Sequence, residues 1–533
     1  MSEQPIGRLP LAWDAWGVPD RAQPLPERVR ALVAAAFALG DDSVPRIDAG
    51  DVRLAPSRLD PADLEALAAI DGVASVSADH QTRLDHAGGK STTDLLRRQE
   101  AEQDAPDAVV EPTTHESVVR VLKHCTDVKI AVVAYGGGTS VVGGLDPVRD
   151  GFSATVSLDL RRLDQLTALD ETSLLATLGA GMTGPRAEAL LGDHGLSLGH
   201  FPQSFEHASI GGFAATRSSG QASSGYGRFD DMVHAVTVAT PRGTLRLGRA
   251  PASAAGPDLR QLFLGSEGVL GVITDVTLRV HPRAEHTAYA AWTLPDFTVG
   301  ANAVRTLAQR GCRPTVLRLS DEAETAINAA VAGNADAPSG CLAIATFEGE
   351  TERAEAELTY ARNIVESAGG QWLGADVAKA WERGRFDAPY LRDSLLGAGV
   401  LVETLETATT WTTLDALRTA VTGALTAALG ADGTTPLVMC HISHTYATGA
   451  SLYFTVGTAR GDEPIQRWAQ AKRAVGDAIA DLGATISHHH AVGRDHAPWM
   501  HREIGDLGIE AIGAVKDAVD PAGILNPGKL ILR

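Results

Sequence analysis

A glycine-rich turn placed directly behind a strand–helix–strand unit restricts a chain to few folds, and this chain has one. "AVVEP" reads as a short strand, "TTHESVVRVLKHC" as a capped amphipathic helix and "KIAVVAY" as a β-branched strand that runs into "GGGTSVVGG". Three glycines let the backbone approach a phosphate closely, and consecutive N–H groups can form an anion nest. A plain glycine turn has the same look. The loop lacks GK[ST], so it is not a Walker loop. Two more small-residue loops follow at residues 202–220 ("PQSFEHASIGGFAATRSSG") and 265–274 ("GSEGVLGVIT").

A competing signal is "GAGMTG" at residues 179–184, which fits GxGxxG after an apparent strand. Its helix is short and no parallel strand follows. The dinucleotide reading therefore competes with a tight strand-to-helix turn that holds no nucleotide.

Residues 1–100 read as helices and loops. Residues 26–40 have helical spacing and stop at a glycine, residues 60–72 open on an Asp cap with Pro at the first helical position, and "STTDLLRR" resembles a capping box with Asp in place of Glu. "TVSLDLRRL" and "SLLATLGAG" read as further strands and "PRAEALLGDHG" as a short helix. After about residue 282 the glycine-rich texture gives way to strand and helix alternation, which suggests a second α+β domain. Two helices then bracket "SHHHAVGR".

At 533 residues the chain has room for two to four domains, and 44% hydrophobic with 21% charged residues suits globular ones. A net charge of −20 argues against a nucleic-acid partner, which wants a basic face. Cys125, Cys312, Cys341 and Cys440 form no CxxC pair, so reduced buried thiols in a cytosolic protein are expected. The N-terminus lacks a basic n-region before an apolar core, and no 18-residue apolar run appears. The expected location is cytoplasmic, with peripheral membrane contact left open.

Taken together, the three loops resemble the vanillyl-alcohol-oxidase, or PCMH, type of FAD-binding domain. The resemblance implies that the first loop carries the pyrophosphate and the others wrap adenine and flavin. It marks as cofactor-binding Tyr135, Gly136, Gly137, Gly138, Thr139, Ser140 and Val141 in the first loop. In the second it marks Pro202, Ser204, Phe205, Glu206, His207, Ala208, Ser209, Gly211, Gly212, Thr216, Arg217, Ser218 and Ser219. In the third it marks Glu267, Gly268, Val269, Leu270, Gly271, Val272 and Ile273. Members that attach FAD covalently often carry His after the paired glycines. Thr139 stands there, so FAD is expected without a covalent link.

The likeness sharpens to the alkylglycerone-phosphate synthase (alkyldihydroxyacetonephosphate synthase) family. "LAWDAWGVPD" resembles its W-x-x-W-G signature, and "SLGHFPQSFEHASIGGFAATRSSG" its second-loop motif. "PTVLRLSD", "YLRDSLLGAGVLVETLETATTW", "HTYATGASLYFTV" and "SHHHAVGR" follow in family order. Gln203, Ala447, Ala491 and Arg494 depart from the family pattern, which puts substrate details in doubt more than the fold. The implied fold is α+β. A two-subdomain PCMH-type FAD-binding domain (103–283) is joined by an α+β cap domain (284–480), with helical N-terminal (1–102) and C-terminal (481–533) segments. The implied reaction replaces the acyl chain of acyl-dihydroxyacetone phosphate by a fatty alcohol, through a flavin N5 adduct, on a homodimer. The alternative is a flavin dehydrogenase or oxidase acting on a D-2-hydroxy acid.

The resemblance gives Tyr446 the role of base and acid, His488, His489 and His490 active-site roles, and Arg392 and Arg318 substrate roles. In an extended segment, His488 and His490 would share one face. Imidazoles near a phosphate can hold positive charge and help a phenol ionise. The dehydrogenase branch carries metal-binding histidines where Tyr446 and Tyr453 stand here, and Glu where His489 stands, so no metal is expected. Packing roles for Tyr446 and the histidines, a surface ion pair of Arg392 with Asp393, and a structural role for Arg318 remain open alternatives.

Overall fold

The computed structural model describes residues 11–39, 44–333, 339–431 and 433–532. The N-terminal region includes the helices α1 (Glu27–Phe37), α2 (Pro61–Ala68) and α3 (Thr92–Arg97), with the short helix His80–Asp85 between the last two. The caps are as the sequence implies. The Asp60 side chain accepts from the Ala62 N–H, and Ser91 and Asp94 form a reciprocal capping box. α1 closes on Ala38 in the left-handed region rather than at a glycine, and Gly40 lies outside the described residues.

Between α2 and α3 lies β1 (Val73–Ser77), which the helix-and-loop reading of this region left out. The segment Val-Ala-Ser-Val-Ser has no apolar–polar alternation to announce it, so tertiary pairing decides it. It joins antiparallel to β2 (Ala108–Pro112). Helix α4 (His115–Val128) leads to β3 (Ile130–Tyr135), and β4 (Ala154–Asp159) runs parallel between β2 and β3. A Thr114–Ser117 capping box starts α4, which buries Val118, Val121, Leu122 and Cys125 on this sheet. Near the C-terminus, Leu525 bridges to Val132 of β3.

The second sheet is antiparallel throughout. Its strands are β5 (Leu166–Asp170), β6 (Leu175–Gly179), β7 (Val233–Thr240), β8 (Gly243–Leu247) and β9 (Val272–Arg279), in the order β8-β7-β9-β6-β5. This settles "GAGMTG". It follows β6 in an antiparallel sheet, whereas the dinucleotide unit needs parallel strands. Its glycines serve packing: a Cβ on Gly181 would lie 1.9 Å from the Leu160 carbonyl oxygen.

The third layer is a seven-stranded antiparallel sheet. It comprises β10 (His286–Leu294), β11 (Val316–Ser320), β12 (Cys341–Gly349), β13 (Gln371–Gly374), β14 (Val400–Thr410), β15 (Leu437–Thr445) and β16 (Gly449–Ala459). Their spatial order is β13-β10-β12-β11-β15-β16-β14. The helices α5 (Leu414–Leu429) and α6 (Pro464–Asp481) pack with it around Trp292, Phe347, Phe454 and Trp468.

Candidate active site

Three segments distant in sequence meet where the third sheet faces the glycine loops. Tyr446 occupies the hairpin between β15 and β16. Its N–H donates to the Gly449 carbonyl and its own carbonyl accepts from Trp411 Nε1, which fixes the backbone under the phenol. The phenol oxygen lies 2.6 Å from His488 Nε2, and His488 Nδ1 lies 2.9 Å from His489 Nδ1.

The histidine run is not extended. The N–H groups of His488, His489 and His490 all donate to the Glu406 carboxylate on β14, at 2.6, 3.0 and 2.8 Å, and Ser487 Oγ adds a fourth bond at 2.8 Å. A buried carboxylate collecting consecutive amides curls the chain, so the alternation of faces expected of a strand does not apply. Glu406 is fully buried. Burial opposes its charge, but the imidazoles of His489, His490 and His488 and the amide donors hold it well below the usual carboxylate range.

The charge state of the histidines also corrects the sequence expectation. Burial first, then the neighbouring imidazoles, pushes His488 and His489 well below the ordinary histidine range; His490 is lowered too, chiefly by burial. All three are neutral at neutral pH and are not the cations that help the phenol ionise. Burial raises Tyr446 to about 12, and the strongest influence against that is the Arg228 guanidinium. Arg228 was absent from the sequence reading.

Two further residues were missed. Glu406 announced itself only as a carboxylate inside the apolar run "LVETLETATTW". His444 packs against His488 with ring centroids 4.9 Å apart, and its Nε2 bonds the Gly220 carbonyl at 3.0 Å. Nitrogens of His444, His488 and His489 lie within 4.8 Å of one another. His444, however, has both nitrogens committed, to Gly220 and to Ser443, and its ring packs tilted against that of His488.

Arg318 sits on β11 against His441 and Glu324, with its Nη1 2.9 Å from His441 Nε2. His441 stacks on Tyr453, which lies directly across from Glu406. Arg318 thus reaches the cluster through His441 and Tyr453. Arg392 stands apart, on the helix Ala388–Gly397. Its Nε donates to Asp393 at 3.0 Å and its Nη1 to the Lys90 carbonyl at 2.7 Å. Nη2 lies 2.9 Å from the same carboxylate oxygen but is a buried donor without a hydrogen-bond partner among the described residues. The fork is therefore partly occupied, leaving one donor rather than a free bidentate edge.

The loops form a joined cradle. A Cβ on Gly137 would lie 2.0 Å from the His207 carbonyl oxygen, and one on Gly136 would lie 2.3 Å from Ser209 Oγ, so the first two loops touch backbone to backbone. Ser209 caps the helix Ile210–Thr216, accepting from Gly212. Arg217, in the left-handed region, donates to the Leu264 carbonyl and ties the second loop to the third. Glu267 lies beside the end of the first loop, its Oε1 3.4 Å from where a Cβ on Gly144 would sit. Its carboxylate accepts from the Val492 and Gly493 N–H groups, anchoring the far end of the histidine segment. The side chains of Val269, Leu270, Val272 and Ile273 belong to the hydrophobic cores, leaving only their backbone for a ligand. Phe205 stacks on Phe386 of the third layer.

Several buried polar atoms near the loops have no hydrogen-bond partner among the described residues: Gln203 Nε2, Ser219 Oγ and Arg98 Nη1, together with His207 Nε2. Unpaired buried polar atoms are costly, and a polar dinucleotide would satisfy them. The cradle therefore fits FAD, with amides of the first loop suited to its pyrophosphate and second-loop side chains to its other polar edges.

Residues 106–248 match the family described as FAD binding domain, and residues 283–530 that described as FAD linked oxidases, C-terminal domain. Fold and site together define an FAD-dependent enzyme of this class. An alkyldihydroxyacetonephosphate synthase of Dictyostelium discoideum is 31% identical, covering 92% of this chain and 84% of its own length. One of Trypanosoma brucei brucei is 30% identical over 86% of this chain and 78% of its own. A solved alkyldihydroxyacetonephosphate synthase structure superposes with a TM-score of 0.84 at 27% identity, covering 98% of this chain and 99% of its own. The chain belongs to the alkyldihydroxyacetonephosphate synthase family.

Proposed function

We propose that the Tyr446–His488–His489 chain handles the proton in an exchange of the acyl chain of acyl-dihydroxyacetone phosphate for a fatty alcohol, which makes an ether lipid. The observation that carries this is the 2.6 Å contact between the phenol oxygen and a neutral, buried imidazole nitrogen. FAD, when bound, supplies the oxidised electrophile for the substrate carbon.

Two proton arrangements fit the chain. Either Tyr446 donates to His488 Nε2 and His488 Nδ1–H donates onward to His489, or every bond points the other way. Passing its hydroxyl proton to His488 lets Tyr446 take the C1 proton, and the added proton stays on the His488–His489 pair as an imidazolium until the reverse shift. The reverse shift returns a proton to C1 after the carboxylate has left and the alcohol has added. Glu406 cannot move, because its amide bonds fix it, and its charge favours the imidazolium formed in passing. We assign the substrate phosphate to Arg392 through Nη2, and a structural role to Arg318. The reading includes a homodimer and peripheral contact with a membrane, where long-chain substrates reside. Among the described residues, no helix is long and apolar enough to cross one.

The test is incubation of the holoenzyme with acyl-dihydroxyacetone phosphate and a labelled fatty alcohol. The expected result is label in alkyl-dihydroxyacetone phosphate, matched by released fatty acid, with no net flavin bleaching. Bleaching by D-lactate or D-2-hydroxyglutarate without labelled product would establish the dehydrogenase alternative.

A further inference from the structure

Lys90 is buried, and its polar groups reach three different parts of the molecule. Its main-chain N–H donates to the Ser140 carbonyl of the first glycine loop at 2.7 Å. Its carbonyl accepts from Arg392 Nη1, also at 2.7 Å. A single residue therefore spaces Arg392 from the cofactor cradle. Its side-chain Nζ donates to the carbonyls of Ala12, Trp13 and Ala15, at 2.5, 3.2 and 2.8 Å. Burial works against a charge on this amine, and three carbonyl acceptors matched to the three hydrogens of an ammonium work for it.

The carbonyls that Lys90 gathers belong to "LAWDAWGVPD", residues 11–20. That segment turns at Gly17, in the left-handed region, where a Cβ would lie 2.1 Å from the Tyr390 hydroxyl and 2.9 Å from His207 Nε2. The turn brings the Trp16 N–H to Asp393 Oδ2 at 2.5 Å. The other oxygen of Asp393 accepts from Arg392 Nε. Just past the turn, Arg21 bonds Glu206 of the second loop and, at 2.9 Å, Asp387 at the start of the helix that carries Arg392. The segment thus lies across both the cradle and that helix. Asp393 and the Lys90 carbonyl hold the Arg392 guanidinium from two sides, and Nη2 is the donor left over.

We propose that Lys90 is a positioning residue for the substrate phosphate: it ties residues 12–16 down as a strap that, together with its own carbonyl, fixes Arg392 in register with the first cofactor loop. The proposal rests on the assignment of the phosphate to Arg392 made above, and adds what holds the guanidinium still. A guanidinium free to swing would still attract an anion but would not hold it in one place relative to the cradle, and binding sites need their contact groups locked by a supporting set of bonds. The Lys90 amine is committed to its three carbonyls, so it acts through Arg392 rather than on the substrate.

The test compares kcat/KM of the holoenzyme for acyl-dihydroxyacetone phosphate and for the same acyl-dihydroxyacetone without its phosphate. Lys90→Met keeps the apolar stem and loses the three donated bonds. A misplaced anchor penalises only the phosphorylated substrate, so the preference for it should shrink by about 10–100-fold, chiefly through KM. Damage to the fold or loss of flavin lowers both substrates alike, and equal losses would overturn the proposal. Arg392→Met measures the full worth of the phosphate contact. The Lys90→Met/Arg392→Met double variant should lose no more preference than Arg392→Met, because both changes act through one contact. If Lys90→Met does not fold, Lys90→Gln, with two donors for three carbonyls, carries the same measurement. An unchanged preference in a folded, flavin-loaded Lys90 variant, beside a collapsed one in Arg392→Met, overturns the proposal and leaves the role of Arg392 standing. An unchanged preference in Arg392→Met removes the phosphate assignment beneath it instead.

Discussion

Glu406 holds the main-chain N–H of His488 at 2.6 Å, so a buried carboxylate on β14 decides where a C-terminal imidazole meets Tyr446 on the neighbouring hairpin. Its hydrogen bonds come from three amides and the Ser487 hydroxyl, with the His489 and His490 ring nitrogens farther off at 3.7 and 3.9 Å, which makes it an orienting group. Charge-assisted bonds of this kind are worth more than neutral ones, and three from consecutive residues leave the segment little freedom.

Tyr446→Phe removes only the hydroxyl. Turnover should fall by about two to four orders of magnitude, the usual range for acid–base catalysis, with FAD content and melting temperature unchanged. Retained activity would exclude the proton chain as described.

Glu406→Gln keeps the shape but loses the charge, and its amide NH2 would face donors. The histidine segment should loosen. We expect stability to drop by several kcal/mol, since removing one side of a buried charged network commonly costs about 3–5 kcal/mol, together with a larger loss in kcat than in KM. Calorimetry and steady-state kinetics on the same preparation check this; an unchanged melting temperature would show that the amide contacts carry no weight.

Acid should destabilise the holoenzyme early. His488 and His489 are held well below the unfolded imidazole value, and burial lowers His444, His207 and His496 to about 4 each. A lowered histidine binds fewer protons folded than unfolded, so its stabilisation is present above about pH 6.5 and fades as pH falls towards the folded value. Glu267, raised to about 7 by burial, and Asp146 and Asp321, raised to about 6, work in the opposite direction, losing stability as pH rises towards those values, but the lowered histidines, which also include His200, His441 and His490, outnumber them. The melting temperature should therefore decline between about pH 6.5 and 4; a flat profile there would contradict the buried neutral state.

Gly137→Ala would put a Cβ 2.0 Å from the His207 carbonyl, a backbone atom that cannot swing aside. The purified variant should lose most of its FAD, measured by the ratio of flavin to protein absorbance. Normal flavin content would mean the two loops can separate without cost.

Thr139 stands where covalent members of the broader class often carry histidine, so the flavin should be released whole by acid precipitation. Colour left in the pellet would identify a covalent link elsewhere.

Much was written locally. Glycines before and after residue 137, the Ser91–Asp94 and Thr114–Ser117 boxes and the β-branched strands act over a few residues, so the sequence alone determined the three loops, most helices and their order. The family order of "HTY" and "SHHHAVGR" likewise singled out Tyr446 and the histidines. Three outcomes needed the tertiary structure. Val73–Ser77 became a strand only because β2 offered it an edge. Glu406, Arg228 and His444 became site residues because three segments fold onto one point, and no spacing along the chain encodes that. The histidines are neutral because they are buried together, and desolvation belongs to the packed environment rather than to the residue type.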